Sequence, residues 1–272
     1  MSLFKLFSHD LRSGILRWRY LLIPLVFILP CFSAFVDIQN AQCVGTWMDY
    51  VIGCFKGVLP PDGEFEGFTF PILWLLIIAG TLFINLDYPI GDLTEAGQQV
   101  IIRCVNKKLW LVSKCFWCIL SSTIYYLLGM LTALVFALAT GGSAKLLHTP
   151  DVALKAFQIY APELLTVGET ILAAVVLPWL TIVVVNILQM TLSLVMRPLF
   201  SFLTCISVMI LGVFVNSPFF LGNGAMTSRS GILVEGMQSP LAVVLTCILF
   251  LEFCVLLGVL RFKRMDHLRY EG

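Results

Sequence analysis

Charged side chains are scarce in this sequence. Its 272 residues include 17 Lys or Arg and 16 Asp or Glu, or 12% in all, whereas 59% are hydrophobic and the mean hydropathy is +0.96. A soluble domain typically has about a quarter charged residues. So few charges in so much apolar sequence exclude a soluble protein, and the composition indicates a protein that crosses the membrane several times.

The sequence also lacks the motifs of several functional classes. It contains no GxxxxGK[ST] loop, which would hold nucleotide phosphates. Its histidines, His9, His148 and His267, are far apart, so no Cys/His cluster has metal-ligand spacing. No apolar stretch carries a histidine, a GxSxG nucleophile or paired carboxylates, which leaves an intramembrane enzyme without catalytic residues. We expect no cofactor in this chain and no nucleic-acid partner.

Six apolar stretches are each long enough to be a membrane span, which takes roughly 20 residues for about 30 Å of hydrocarbon. They are 20–36, 70–86, 116–138, 170–192, 199–221 and 241–260. The apolar region 170–221 is too long for a single crossing at about 1.5 Å per residue, so we expect a hinge at Ser193–Pro198. The predicted fold class is an all-α integral membrane protein with six transmembrane helices in one domain, 1–272.

Basic residues are distributed unevenly among the connecting segments. If the N-terminus is inside, 13 of the 17 Lys and Arg fall in cytoplasmic segments. The predicted topology therefore places both termini in the cytoplasm. The membrane that we expect the chain to cross is the plasma membrane. A cleaved signal peptide is a poorer interpretation of the first stretch, because no A-x-A-like site follows it.

The N-terminal segment, 1–19, has apolar side chains at every third or fourth position and basic residues on its other faces. This pattern predicts an amphipathic helix that lies in the cytoplasmic interface. A plain basic flank that only sets the topology is the alternative.

The connector between the second and third spans is longer than adjacent spans require. Asp92 and Glu95 resemble a capping box, and an apolar face follows them. The pattern predicts a short cytoplasmic helix over 92–106, either resting on lipid headgroups or docking onto a partner.

The connector also resembles a known family. E95-A-G97, then Arg103, N106-K-K-L-W-L and Lys114 at the head of a span are similar to the first cytoplasmic loop of ABC-2-type permeases. The six-span layout, the amphipathic first helix and the extended last external loop are similar as well. In addition, SPFFLGNGAMTSRS resembles the end of span five in small Gram-positive permeases that export peptides, such as the phenol-soluble modulin exporter family.

The resemblance implies that 92–106 is a coupling helix seated on a separate ABC ATPase subunit, which would bind ATP and Mg. It also implies that a second permease copy, identical or related, completes the pathway. The residues expected to couple to the ATPase are Glu95, Gly97, Val100, Ile101, Arg103, Lys107 and Lys108.

A few residues within the spans are candidates for a transport pathway. Glu252 lies nine residues before Arg261, close to the midplane, where a carboxylate costs roughly 2.5–3.5 kcal/mol. We therefore expect it to face the bundle, as a pathway or gating residue or in a structural hydrogen bond. Asn186, Met209 and Phe214 are further pathway candidates, with a purely structural role as the alternative.

Three other residues predict local helix geometry. Pro178 predicts a kink in the fourth span, and Gly129 and Gly212 are expected to allow close packing of helices.

Two of the nine cysteines, Cys43 and Cys54, share the first external loop. A disulfide between them is one interpretation if the surroundings are oxidising, and two free thiols are the other.

The function that these patterns favour is the permease subunit of an ATP-driven exporter for an amphipathic or hydrophobic peptide or a drug-like molecule. An ion-coupled transporter that uses Glu252 is an alternative, although it would usually need several intramembrane ionisable groups and an inverted repeat. A non-transporting membrane assembly subunit is a further alternative.

Overall fold

The structure is a computed structural model that describes residues 18–60, 68–86, 107–159 and 165–267, with side chains for all of these except 107–108 and 262–267. Within these ranges the chain is helical, and its only β-type pairings are two isolated bridges. The all-α class is thus confirmed for the described part.

The helices are numbered in chain order. They are α1 (Trp18–Asn40, beginning with the 3-10 turn Trp18–Leu22), α2 (Trp47–Cys54), α3 (Ile72–Ile84), α4 (Lys107–Ala139), α5 (Pro150–Lys155), α6 (Val167–Ser193), α7 (Pro198–Phe214), α8 (Leu221–Gly224) and α9 (Pro240–His267).

Four of these helices, α1, α4, α6 and α9, are long and apolar enough to cross a membrane. The apolar helices α3 and α7 have 13 and 17 residues, or about 20 and 25 Å, and are shorter than the hydrocarbon thickness. The predicted hinge is confirmed, since α6 ends at Ser193 and α7 begins at Pro198.

Helix α6 is the centre of the bundle. It packs against α3, α4, α7 and α9, and 67% of its most apolar stretch is buried, compared with 28% for α9. The end of the bundle near Asn40, Ala139 and Phe214 is called the loop end. The opposite end, near Asn85, Lys107 and Ser193, is called the connector end.

The predicted kink at Pro178 takes the form of a π-helical turn, Leu172–Val176, just before the proline. Proline has no N–H to donate to the carbonyl four residues earlier, which belongs to Ala174. The Tyr126 hydroxyl of α4 donates to that carbonyl at 3.0 Å. A neighbouring helix thus satisfies the backbone group that the proline leaves free.

The fifth predicted span, 199–221, is wrong at its C-terminal end. Helix α7 ends at Phe214, and Val215 has extended angles of φ −122° and ψ 117°. Pro218 follows and has no backbone N–H, so it cannot donate the hydrogen bond that would continue a helix. Residues 215–230, here called the returning segment, fold back against α7 through α8.

The returning segment is buried throughout Leu221–Ser230 although little of it is regular helix. Irregular backbone that is buried away from water needs protein partners for its polar groups. The Asn223 side chain satisfies two carbonyls of this segment: its Nδ2 donates to the carbonyls of Val215 and Ser217, both at 2.8 Å. The Trp74 indole N–H of α3 donates to the carbonyl of Ala225 at 3.1 Å.

Asp49 joins the first and second connecting segments of the loop end. Its Oδ2 accepts from the Thr46 N–H at 2.8 Å and completes a capping box for α2. Its Oδ1 accepts from the N–H of Thr149 at 2.9 Å, immediately before α5. Thr149 and Pro150 occupy the N-cap and first helical positions of α5.

Candidate functional site

A chain of uncharged hydrogen bonds crosses the bundle near the connector end. Ser121 of α4 donates to Asn85 Oδ1 at 2.6 Å, and Asn85 Nδ2 donates to Asn186 Oδ1 of α6 at 2.7 Å. Asn186 Nδ2 donates to Thr81 of α3 at 2.9 Å. The Tyr20 hydroxyl of α1 lies 2.6 Å from Ser121 Oγ and donates to it, because the Ser121 proton is directed at Asn85. We call these five residues the polar chain.

The polar chain links four helices and is buried except at Tyr20, which is partly buried. Asn85 is 4% exposed, and Ser121, Thr81 and Asn186 are fully buried. A second amide, Gln189 Nε2, donates to the carbonyl of Leu82 at 3.1 Å. Hydrogen bonds of this kind fix helix register in a membrane, where each contributes roughly 0.6–2 kcal/mol.

A cavity of about 650 Å³ lies at the loop end between α1, α2 and the start of α3. This volume is in the range of small-molecule sites. Aromatic side chains form much of its wall, namely Phe68, Phe70, Trp74 and Phe157. Asp37 and Lys56 are the charged side chains among its described lining residues, and Ser33, Thr69, Gln158 and Ser228 are the uncharged polar ones.

Lys56 is half-buried in this cavity. Its Nζ lies 5.5 Å from the centre of the Phe157 ring, within the range of a cation–π contact. Burial lowers the pKa of Lys56, and the charge of Asp37 opposes that shift. Neither Lys56 nor Asp37 forms a salt bridge with a residue that the structure describes, so the two charges influence each other across the cavity without pairing.

Ser228 adds a buried hydroxyl to the cavity. Its backbone N–H donates to the carbonyl of Lys56 at 3.1 Å, which fastens the returning segment to the segment after α2. The side chain is 2% exposed, and its Oγ has no hydrogen-bond partner among the described residues. A buried hydroxyl without a partner costs free energy, and this one lies in the cavity wall.

Arg229 is a fully buried cation at the base of the same region. Its guanidinium donates to the carbonyls of Gly212 and Val213, both at 2.5 Å, which are in the last turn of α7. It also donates to the carbonyl of Val58 at 2.9 Å and to Asn223 Oδ1. Burial lowers the pKa of Arg229 to about 10. No carboxylate contacts the Arg229 guanidinium in the described structure. The carbonyl end of α7 carries partial negative charge, and this charge stabilises the cation instead.

Sequence reasoning missed Arg229 and Lys56, because both looked like ordinary charges in an external loop. The signal that could have found Arg229 is its position in a glycine-rich, otherwise uncharged stretch, GNGAMTSRSG.

The comparison with known proteins gives one match. A family model described as "Protein of unknown function (DUF2705)" matches residues 27–268. The chain belongs to the DUF2705 family. No curated protein and no solved structure matches it. The matched range includes the loop-end cavity, Arg229 and all of the polar chain except Tyr20.

Glu252 of this DUF2705 protein does not face the bundle. It lies on an exposed face of α9 together with Leu249, Phe253 and Leu256, which are 52%, 49% and 58% exposed. The expectation that it faces the interior is therefore wrong for the single chain. It forms no hydrogen bond or ion pair with the described residues, and its position gives no support to an ion-coupled pathway through the bundle.

The other pathway candidates are not brought together. Asn186 belongs to the polar chain, and Met209 is fully buried beside the returning segment. Phe214 is 42% exposed at the loop end, where its ring centre lies 5.7 Å from that of Phe68. Their roles in a pathway stay predictions.

Cys43 and Cys54 are both free thiols in the structure. Cys54 ends α2 with its Sγ turned into the core, 3.5 Å from Cys31 Sγ of α1. Cys43 Sγ donates to the carbonyl of Ala41 at 3.4 Å. The alternative of two free thiols is the one that the structure contains.

The predicted interfacial helix and coupling helix lie outside the described residues, apart from Trp18 and Arg19. Glu95, Gly97, Val100, Ile101 and Arg103 also lie outside them. Lys107 and Lys108 form the first turn of α4, without described side chains. About two turns further on, Lys114 is fully buried, with its Nζ 5.6 Å from the centre of the Trp110 ring.

The described residues contain no group of three or more His, Cys, Asp or Glu that could hold a metal ion.

Proposed function

We propose that this chain is the membrane-spanning permease subunit of an ATP-driven exporter of the ABC-2 type. In this proposal α1, α3, α4, α6, α7 and α9 cross the plasma membrane, with both termini in the cytoplasm and the loop end outside. The two shorter helices cross with the help of the aromatic and polar residues that flank them.

The observation that carries the proposal is the position of the polar chain. Asn85 lies one residue beyond α3, where the connector leaves the bundle, and Ser121 lies on α4, the helix to which the connector returns. The Ser121–Asn85 hydrogen bond therefore fastens together the two helices that hold the connector, and Asn186 adds the central helix α6. A push on the connector would move α3, α4 and α6 as one unit, which is what a rocking transport cycle needs.

In this proposal, a separate ATPase subunit that binds ATP and Mg²⁺ drives transport, because the sequence of this chain has no phosphate-binding loop. The connector residues Glu95, Gly97, Arg103 and Lys107 would contact it. A second permease copy would complete the pathway. The proposed cargo is an amphipathic or hydrophobic peptide or drug-like molecule, since the described spans offer an apolar interior with almost no fixed charge.

The first test is purification of the native complex in mild detergent, followed by mass spectrometry. A stoichiometric partner that carries a phosphate-binding lysine motif supports the proposal. An intact permease that consistently lacks such a partner contradicts it.

A second test uses the connector. Arg103→Glu with Lys107→Glu reverses two charges at the proposed ATPase contact and should abolish copurification while leaving thermal stability unchanged. Lys145→Glu, an exposed charge reversal at the loop end, is the matched control and should copurify normally. Unchanged ATPase association in the double variant would remove the coupling assignment.

A further inference from the structure

The loop-end cavity has the features of a ligand site. It combines apolar aromatic walls with a small number of polar groups of different kinds, which is the usual composition of a small-molecule pocket. Three polar side chains, Asp37, Lys56 and Ser228, come from three separate parts of the chain and line the same cavity.

Three polar side chains of the cavity have no hydrogen-bond or ion-pair partner among the described residues. Lys56 and Asp37 carry opposite charges but form no salt bridge with the described residues. Ser228 Oγ is buried without a hydrogen bond in the described structure. Buried polar groups are almost always satisfied in folded proteins. The buried Ser228 hydroxyl, beside two half-buried opposite charges that do not pair, therefore indicates that a bound molecule supplies the missing partners.

The charges define the chemistry of that molecule. One ammonium and one carboxyl across an apolar space are complementary to a molecule of zero net charge that has an anionic group, a cationic group and an apolar body. A phosphate carries up to two negative charges, whereas Lys56 is the single cation among the described lining residues and is opposed by Asp37. A carboxylate, with a single charge, is the better match.

We propose that the loop-end cavity binds a zwitterionic apolar peptide, with the peptide carboxylate at Lys56 and Ser228 and the peptide ammonium at Asp37. The aromatic walls hold its apolar side chains. This inference gives the substrate class of the proposed exporter and, in that respect, rests on the proposed function. The binding itself requires neither an ATPase nor turnover.

The test is equilibrium binding by isothermal titration calorimetry, on the full chain in nanodiscs without an ATPase. The probes are the tripeptide Leu-Leu-Leu with free ends, the same peptide N-acetylated, and the same peptide with a C-terminal amide. The free peptide should bind, and each blocked peptide should bind at least tenfold more weakly, because each has lost one charge. Equal binding of all three peptides, or no binding of the free peptide, would overturn the proposal.

Two variants test which residue binds each end of the peptide. Lys56→Met keeps the aliphatic stem and removes the charge, so it should weaken the N-acetylated peptide but not the amidated one. Asp37→Asn should do the reverse, and Lys145→Met, an exposed position outside the cavity lining, should change neither. The blocked peptides on the unaltered protein keep the test valid if a variant does not fold.

Titrations in nanodiscs of different lipid composition distinguish a peptide site from a site for a lipid headgroup. Binding of the free peptide should be equal in nanodiscs of phosphatidylglycerol and in nanodiscs rich in phosphatidylethanolamine. If phosphatidylethanolamine abolishes it, the cavity belongs to a lipid headgroup and the peptide assignment is wrong. No ATPase is present in the titration, so a failure of the peptide to bind does not contradict the permease proposal. Conversely, if no ATPase copurifies with the chain, the peptide-binding proposal is not contradicted.

Discussion

Glu252 places a carboxyl group near the centre of an apolar, outward-facing surface of α9. Because it has no partner among the described residues, its removal should cost nothing in the isolated chain. Replacement by leucine should instead remove part of the roughly 2.5–3.5 kcal/mol that a central carboxylate costs. We predict that Glu252→Leu leaves thermal stability in nanodiscs unchanged or raises it.

The matched control for Glu252 is Thr246, also on α9. Its hydroxyl is buried and donates to the carbonyl of Pro218 at 2.5 Å, so Thr246→Leu should lower stability by about 1–3 kcal/mol. A Glu252→Leu variant as unstable as Thr246→Leu would show that Glu252 has a buried partner in the assembled protein.

His148 should make the loop end sensitive to mild acid. The side chain is 3% exposed, its Nδ1 lies 3.5 Å from Thr170 Oγ1, and its Nε2 has no partner in the described structure. Burial lowers the pKa of His148, and the nearby charge of Asp49 opposes this shift. The unfolded chain, with a pKa of about 6.5, therefore takes up a proton more readily than the folded protein. Stability should be full above pH 6.5 and decrease as the pH falls through that value.

The measurement is the melting temperature between pH 7.5 and pH 5.5, compared with His148→Gln. The variant should lose much of the pH dependence, because glutamine does not titrate. An identical pH dependence in both proteins would assign it to other groups.

At the scale of elements, Arg229 holds the returning segment to the end of α7. It donates to carbonyls of α7 and to the carbonyl of Val58, 171 positions earlier in the chain. Lysine has three donors on a single nitrogen and cannot reproduce this fork. We predict that Arg229→Lys lowers the free energy of unfolding by about 3 kcal/mol or more, because several buried carbonyls lose their donor.

Thermal unfolding and limited proteolysis of the returning segment would measure this effect. Arg197→Lys is the control, because Arg197 is exposed and has no side-chain hydrogen bond among the described residues. Equal stability of the two variants would mean that water replaces the guanidinium.

The helices themselves follow from local sequence. Apolar length predicted all six long or apolar helices, and the hinge at Ser193–Pro198 follows from the length of the apolar region. Gly129 allows the predicted close packing, since a Cβ there would collide with the Phe27 ring. The early end of α7 was missed because the following FFLG is as apolar as a span, and only the contacts of Asn223 and Arg229 show that the chain turns back.

At the scale of the whole molecule, the candidate site could not be predicted because its residues are far apart in sequence. Asp37, Lys56 and Ser228 meet only after α1, α2 and the returning segment pack together. Asn186 was singled out as a polar residue in a span, but its partner Asn85 looked like an ordinary residue at the end of one. Periodicity shows which residues share a helix face, whereas these contacts depend on how separate helices are arranged.

The polar chain also has a consequence for how the protein is made. Asn85 leaves the ribosome 101 residues before Asn186, about 5–20 s earlier at ordinary rates of synthesis. During that interval the amide of α3 must be hydrated or held by the insertion machinery, since hydrocarbon offers it no partner. The second apolar helix therefore takes its final place only when the fourth arrives, and α7 and α9, which are synthesised later, then pack around α6.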